Sequence, residues 1–156
     1  MIEIERKFKV KNTTFLANAT QSYKITQGYL NSNKNRTVRV RIKDSKGFIT
    51  VKGIGSADGT SRFEWEKEIL LQDAQALLNL CEDFIIDKTR YIIPFEDVCF
   101  EVDVFEGANK GLILAEVELT SVNQKFNKPD WLGDELTGDN RFYNAYLSNY
   151  PYTKWV

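Results

Sequence analysis

Like charges recur at alternate positions along this chain. Glu3 and Glu5, Arg39 and Arg41, Glu64 and Glu66, Lys88 and Arg90, Glu101 and Asp103, and Glu116 and Glu118 are each two residues apart. Lys7 continues the rhythm of Glu3 and Glu5, and Lys52 stands opposite Val51 in the same alternation. Paired carboxylates suit a hard divalent cation. Paired basic side chains suit phosphate oxygens, which arginine can grip bidentately. The chemistry implied is the handling of a polyanion together with a metal. The sequence has no histidine, so the commonest general base and transition-metal ligand are absent. Cys81 and Cys99 are too few and too far apart for a zinc site, and are expected to be reduced and packed in the core.

Residues two apart share a face only on a strand, so strands must carry these pairs. Alternation predicts strands at 2–8, 24–30, 37–43, 48–52, 62–69, 86–93, 99–105 and 114–119. Turn residues Asp44–Gly47 make a hairpin of the third and fourth. Between 73 and 82 the period changes, and Ala74, Leu77, Leu78 and Cys81 mark an amphipathic helix. Beyond Leu119, residues 121–127 are expected as a short helix, 129–135 as turns, and 139–149 as a helix with Phe142, Tyr143, Tyr146 and Leu147 on its apolar face. About eight strands with few helices predict an α+β, mainly β fold: a closed eight-stranded antiparallel barrel in a single domain over 1–156.

An ordinary antiparallel sheet has one wet, charged face and one buried face. Here the charges cluster by sign on each strand, and like charges on neighbouring strands repel without counter-ions. A barrel with this face inward encloses Glu3, Glu5, Glu64, Glu66, Glu101, Asp103, Glu116 and Glu118 with Lys7, Arg39, Arg41, Lys52, Lys88 and Arg90. Burying such ions dry costs several kcal/mol each. The interior must be a wet cavity that awaits a charged ligand.

The same residues carry a resemblance along nearly the whole chain. Glu3-Ile4-Glu5-Arg6-Lys7 matches the ExExK signature of the CYTH, or triphosphate tunnel, superfamily. Gln27-Gly28-Tyr29-Leu30, Arg39-Val40-Arg41, Thr50-Val51-Lys52, Arg62-Phe63-Glu64-Trp65-Glu66, Lys88-Thr89-Arg90-Tyr91, Glu101-Val102-Asp103-Val104-Phe105 and Glu116-Val117-Glu118 resemble its successive strands. Trp131 to Arg141 resembles the ending of short bacterial inorganic triphosphatases, with Phe142 in place of tyrosine. The resemblance implies an eight-stranded tunnel and hydrolysis of tripolyphosphate or a related triphosphate, a nucleoside triphosphate included, with Mg²⁺ or Mn²⁺. It implies Glu3, Glu5, Glu116 and Glu118 as metal ligands. Lys7, Arg39, Arg41, Lys52, Lys88 and Arg90 would clamp the triphosphate, with Arg62 and Arg141 near a mouth. Glu64, Glu66, Glu101 and Asp103 would support them. Lys7, Tyr29 and Glu5 would serve catalysis, Lys7 and Tyr29 as a proton-transfer pair.

Class IV adenylyl cyclases share the ExExK barrel but commonly carry a His-Phe pair that a chain without histidine lacks. Thiamine triphosphate hydrolysis needs an aromatic platform. A non-catalytic polyphosphate- or nucleotide-binding module differs in class, and retention of all four glutamates weighs against it. Net charge is -1, so an RNA-binding barrel and other nucleic-acid partners are not expected. Ile2 to Lys7 is too charged for a signal peptide, and no apolar run reaches membrane-spanning length, so a cytoplasmic protein is expected. Trp65, Trp131 and Trp155 are expected in outer packing, and Tyr150-Pro151-Tyr152 with Trp155 offers a homodimer contact.

Overall fold

A computed structural model describes residues 2–155; Met1 and Val156, the ends of the expected domain, lie outside the described residues. Among the described residues nine strands form one antiparallel sheet. They are β1 (Ile2–Val10), β2 (Gln21–Asn31), β3 (Arg36–Lys43), β4 (Lys46–Gly55), β5 (Ser61–Ile69), β6 (Ile86–Phe95), β7 (Val98–Glu106), β8 (Ile113–Glu118) and β9 (Leu132–Glu135). Helices α1 (Leu71–Leu78) and α2 (Asn144–Asn149) complete the main elements. The order is β5-β4-β3-β2-β6-β7-β8-β1-β9, and a further β1–β5 pairing closes the first eight strands into a barrel. That closure is short: Ile2, Glu3 and Ile4 face Phe63, Arg62 and Ser61.

The register turns the charged face inward. Arg39 stands opposite Tyr29 and Thr50, and Arg41 opposite Gln27. Arg90 stands opposite Asp103, and Glu116 opposite both Lys7 and Glu101. The inward stripe is not charged along its full length. Ile86, Phe105 and Leu114 have the same parity as Lys88, Asp103 and Glu116 and are buried with Leu136, Phe142 and Leu147. This apolar floor supports one end of the cavity.

Outside, Phe8, Phe100, Val102, Ala115, Val117 and Leu119 pack with Phe15 from a short 3-10 turn, with Trp131 and with Leu132 at the start of β9. Helix α1 lies over β2, β3 and β4. The approach is close: a Cβ on Gly28 would stand 2.8 Å from the Cβ of Cys81. The outer cover is uneven, since Phe63 is 44% and Trp65 37% exposed, unlike the packed Trp65 expected from sequence. Trp131 is buried, and Trp155 stacks near Phe142 and Tyr152. Both cysteines are free, but Cys99 is exposed and Cys81 only half-buried, not core residues.

The tail departs most from expectation. Residues 121–127 form no helix. Gln124 is drawn back to accept from the Thr120 backbone at 2.7 Å, and Phe126 is spent on the rings of Phe8 and Phe100. Part of the stretch expected as turns is β9, which pairs with the end of β1. The helix expected over 139–149 breaks at Tyr143, which is extended at φ -76, ψ 139. Its cause lies in the barrel: the carbonyl of Phe142 accepts from Lys7 Nζ at 2.9 Å. An uninterrupted helix would need that carbonyl four residues on. Helix α1 is also shifted, ending at Leu78 and leaving Cys81 beyond it.

Candidate active site

One cavity of about 260 Å³ gathers most of the paired charges. Its basic lining is Lys7, Arg39, Arg41, Lys43, Lys52, Arg62, Lys88 and Arg90, and its acidic lining is Glu3, Glu5, Glu64, Glu66, Glu101, Glu116 and Glu118. Tyr29 lines it too. Asp103 is buried behind this wall, where it anchors the cations. Arg141 lies outside the lining; it is exposed and paired with Asp139 at 2.7 Å.

The basic side chains are tethered from behind. Arg90 donates through Nε and Nη2 to the two oxygens of Asp103, at 2.7 and 2.8 Å, and through Nη1 to Glu101 at 2.9 Å. Lys88 reaches Asp103 at 2.8 Å and donates to Asn144 Oδ1 at 3.0 Å. Arg41 Nε donates to Gln27 Oε1 at 2.8 Å, and the Gln27 amide donates on to Asn144 Oδ1 at 3.1 Å. Arg39 donates to Thr50 Oγ1 at 3.0 Å, and Lys52 pairs with Glu3 at 2.8 Å. The Arg39 Nε is buried and has no partner among the described residues. A buried donor left unmade is costly, and a phosphate oxygen in the cavity would satisfy it.

These contacts set the charges. Burial opposes the ionised form of Asp103, but Arg90 and Lys88 hold it at about 2. Burial brings Lys88 down to about 7. Burial, with Arg39 and Arg90, brings Arg41 to about 9, still a cation at neutral pH. Burial also works against the Lys7 ammonium, yet Glu116 and Glu5 outweigh it and its pKa rises.

The acids crowd one another instead. Burial, then Glu116 and Glu3, push Glu5 well above the ordinary carboxylate range. Burial opposes ionisation of Glu116, but Lys7 and a hydrogen bond from Glu5 hold it well below that range. Burial and a hydrogen bond with Glu3 raise Glu64 to about 7. Burial, then Glu3 and Glu101, raise Glu118. Among the described residues no three metal-binding side chains gather in ligating geometry; the carboxyls meet in pairs. A pair fits an Mg²⁺-like ion, which takes one or two carboxylates and completes its shell with water and phosphate oxygens.

The CYTH domain matches residues 1–144. The chain belongs to the CYTH family. It is 44% identical over 151 residues to the inorganic triphosphatase of Acetivibrio thermocellus, covering 96% of this chain and 95% of that one. Identity to the inorganic triphosphatase of Nitrosomonas europaea is 37% over 152 residues, covering 95% and 97%. The solved structure of the inorganic triphosphatase NE1496 superposes with a TM-score of 0.68 at 32% identity, covering 94% and 93%. For a CYTH barrel, the residues that sequence reasoning missed are the tethers. Gln27 and Thr50 share strand faces with Tyr29 and Lys52, which was a usable signal. Asn144 had none, because it enters the cavity only through the break at Tyr143.

Proposed function

We propose that this CYTH protein hydrolyses the triphosphate group of inorganic tripolyphosphate, in the cytoplasm and with Mg²⁺ or Mn²⁺. The observation that carries the reading is the tethered row of Arg39, Arg41, Lys52, Lys88 and Arg90 in one cavity, with Arg39 Nε unpartnered. Full-length relatives with this activity support it. Among the described residues no helix is long and apolar enough to cross a membrane.

Glu5 and Glu116, with Glu3 and Glu118 beside them, would hold the metal. When bound, it supplies charge neutralisation on the phosphate oxygens and lowers the pKa of its water. The protein's own work is positioning and electrostatics. Arg39, Arg41, Lys52, Lys88 and Arg90 clamp the phosphates and take up charge that develops on the bridging oxygen as it leaves. Water attacks the terminal phosphorus in line with that oxygen. Lys7 is held as a cation by Glu116 and Glu5, which suits it to bind phosphate. The water's proton passes to a carboxylate of the acidic wall. Tyr29 is buried against the cavity, opposite Arg39 in the β2–β3 ladder.

Phosphate release from tripolyphosphate, ATP and pyrophosphate, with Mg²⁺, Mn²⁺ or EDTA, tests the reading. Metal-dependent turnover of tripolyphosphate is expected, lost in the Glu116→Gln/Glu118→Gln variant. Tight tripolyphosphate binding without turnover would sink it and leave a binding module.

A further inference from the structure

The barrel wall holds the head of Lys7 only loosely. Its Nζ stands 3.7 Å from Glu116, too far for a hydrogen bond. Its two closer supports come from the tail. The Phe142 carbonyl accepts from Nζ at 2.9 Å, and the ammonium lies over the ring of Tyr143, 5.1 Å from its centroid. Among the described residues this is the one ring within cation–π reach of Lys7. Tyr29, which the resemblance pairs with Lys7, stands opposite Arg39 on β2. Lys7 is only 4% exposed, and a cation over an aromatic face is held more strongly where water is excluded.

The ring is seated by a break in the chain and by two glycines. Tyr143 is extended between a 3-10 turn, Asn140–Phe142, and α2. Its hydroxyl end abuts the β4–β5 loop. A Cβ on Gly59 would stand 3.0 Å from the Tyr143 hydroxyl and 2.6 Å from the Gly138 Cα. Gly59 and Gly138 both adopt positive φ, at +77 and +84, which glycine takes without strain. The loop and the tail can therefore meet closely behind the ring, while the ring itself lines the charged cavity beside Lys7. The chemistry of the contact matters as much as its place. An ammonium has three donors, and the Phe142 carbonyl takes one. A carboxylate in place of the ring would neutralise the cation and occupy a further donor. The ring attracts the charge without offering a lone pair, so the remaining donors stay open to phosphate oxygens.

We propose that Tyr143 is the positioning residue of Lys7: its ring fixes the ammonium in the cavity and leaves its free N–H donors to the substrate. The proposal rests on the triphosphate reading of the cavity. It adds a residue that neither the alternating charges nor the family resemblance selects, since the sequence pattern places Tyr143 on the apolar face of a helix. Tyr143 touches neither phosphate nor metal in this role and acts only through Lys7.

The test is calorimetric affinity of the full chain for tripolyphosphate with Mg²⁺, with turnover measured on the same proteins. Tyr143→Leu is expected to weaken tripolyphosphate about tenfold, within the range for a cation–π contact sheltered from water. The loss falls on KM more than on kcat. Tyr143→Phe keeps the ring and restores affinity to within about twofold of wild type. In a Lys7→Met background Tyr143→Leu adds less than about twofold, because the group it acts through is gone. An equal loss from Tyr143→Phe would assign the effect to the hydroxyl. An undiminished loss in the Lys7→Met background would make Tyr143 a packing residue. Either outcome overturns the proposal. A proton NMR spectrum of the ligand-free wild type checks the contact without relying on how a Tyr143 variant packs. The Lys7 side-chain protons, assigned by their loss in Lys7→Met, should be shifted upfield by the ring current, and unshifted protons would also overturn the proposal. Absent turnover with these affinities intact would overturn the hydrolase reading alone, because the role of Tyr143 is read from binding.

Discussion

Two walls of one cavity solve the problem of buried charge in opposite ways. On the β6–β7 wall each cation has a fixed counterpart: Arg90 forks onto Asp103, and Lys88 shares the same carboxylate. On the wall made by β1, β8 and β5 the acids face each other. Glu5 meets Glu116, Glu3 meets Glu64, and protons are held that an exposed carboxylate would release. The first wall is satisfied before any ligand arrives, so its donors are already aimed. The second pairs Glu3 with Lys52 and Glu116 with Lys7 but leaves Glu5, Glu64 and Glu118 crowded, and a cation bound there would relieve crowding that the ligand-free fold carries. On the proposed function, phosphate binding would be preorganised and metal binding would relieve repulsion.

Removing one carboxylate from each wall should test this contrast most sharply. Asp103→Ala leaves the buried Lys88 without its carboxylate partner and Arg90 with Glu101 alone. Breaking a buried pair in this way costs about 3–5 kcal/mol, and urea unfolding should show a loss of that size together with loss of tripolyphosphate hydrolysis. Glu118→Ala removes a carboxylate whose neighbours are Glu3 and Glu101, and metal-free stability should stay within about 0.5 kcal/mol. Equal losses from the two variants would mean that the walls do not differ.

A gentler probe is pH. Burial holds Lys88 at about 7 in the ligand-free cavity, down from 10.5. The unfolded chain keeps that proton up to 10.5 while the folded chain releases it near 7. This group's contribution to stability thus rises with pH between those values. For binding the sign is reversed. A polyanion favours the ammonium form, so binding takes up a proton at Lys88 once pH exceeds 7. Tripolyphosphate affinity should be full below pH 7 and fall above it, approaching tenfold per pH unit from this group. Calorimetric titrations of wild type and Lys88→Met over pH 6–9 separate this slope from the ligand's own titration. Parallel slopes would remove Lys88 from the linkage.

How far the sequence could be read follows the same division. The barrel was legible because alternation of charge with Val, Ile and Phe is a period-2 signal that only strands satisfy. The eight closing strands lie where the alternation puts them, seven of them lengthened at their ends and β8 shifted by one residue to Ile113–Glu118. The inward cavity was legible because pairs such as Arg39/Arg41 and Glu116/Glu118 make no sense on an ordinary wet face. The apolar floor was not, since Ile86, Phe105 and Leu114 read as plain strand residues until Leu136, Phe142 and Leu147 are seen to cover them. The tail was misread because local propensity does not decide it. Phe126 is claimed by the outer face of the barrel, and the Phe142 carbonyl by Lys7. Arg141, selected through its motif, turns outward to Asp139, while Asn144 three residues later turns in.

Asn144 also gives the finest test of the tethered wall. Its Oδ1 accepts from both Lys88 and the Gln27 amide, and Gln27 in turn accepts from Arg41. One tail residue thus fixes two cations that stand on different strands. Asn144→Ala removes only the shared acceptor and leaves every charge in place. The loss of one such hydrogen bond is about 1 kcal/mol, so KM for tripolyphosphate should rise about fivefold while kcat changes little. Gln27→Ala should do the same to Arg41. If the three side chains act as one tether, the double variant should be no worse than the poorer single one, because each single change already frees the link. Additive losses would show two separate supports. The wall would then be a set of independent pairs, with α2 packing against the barrel without steering it.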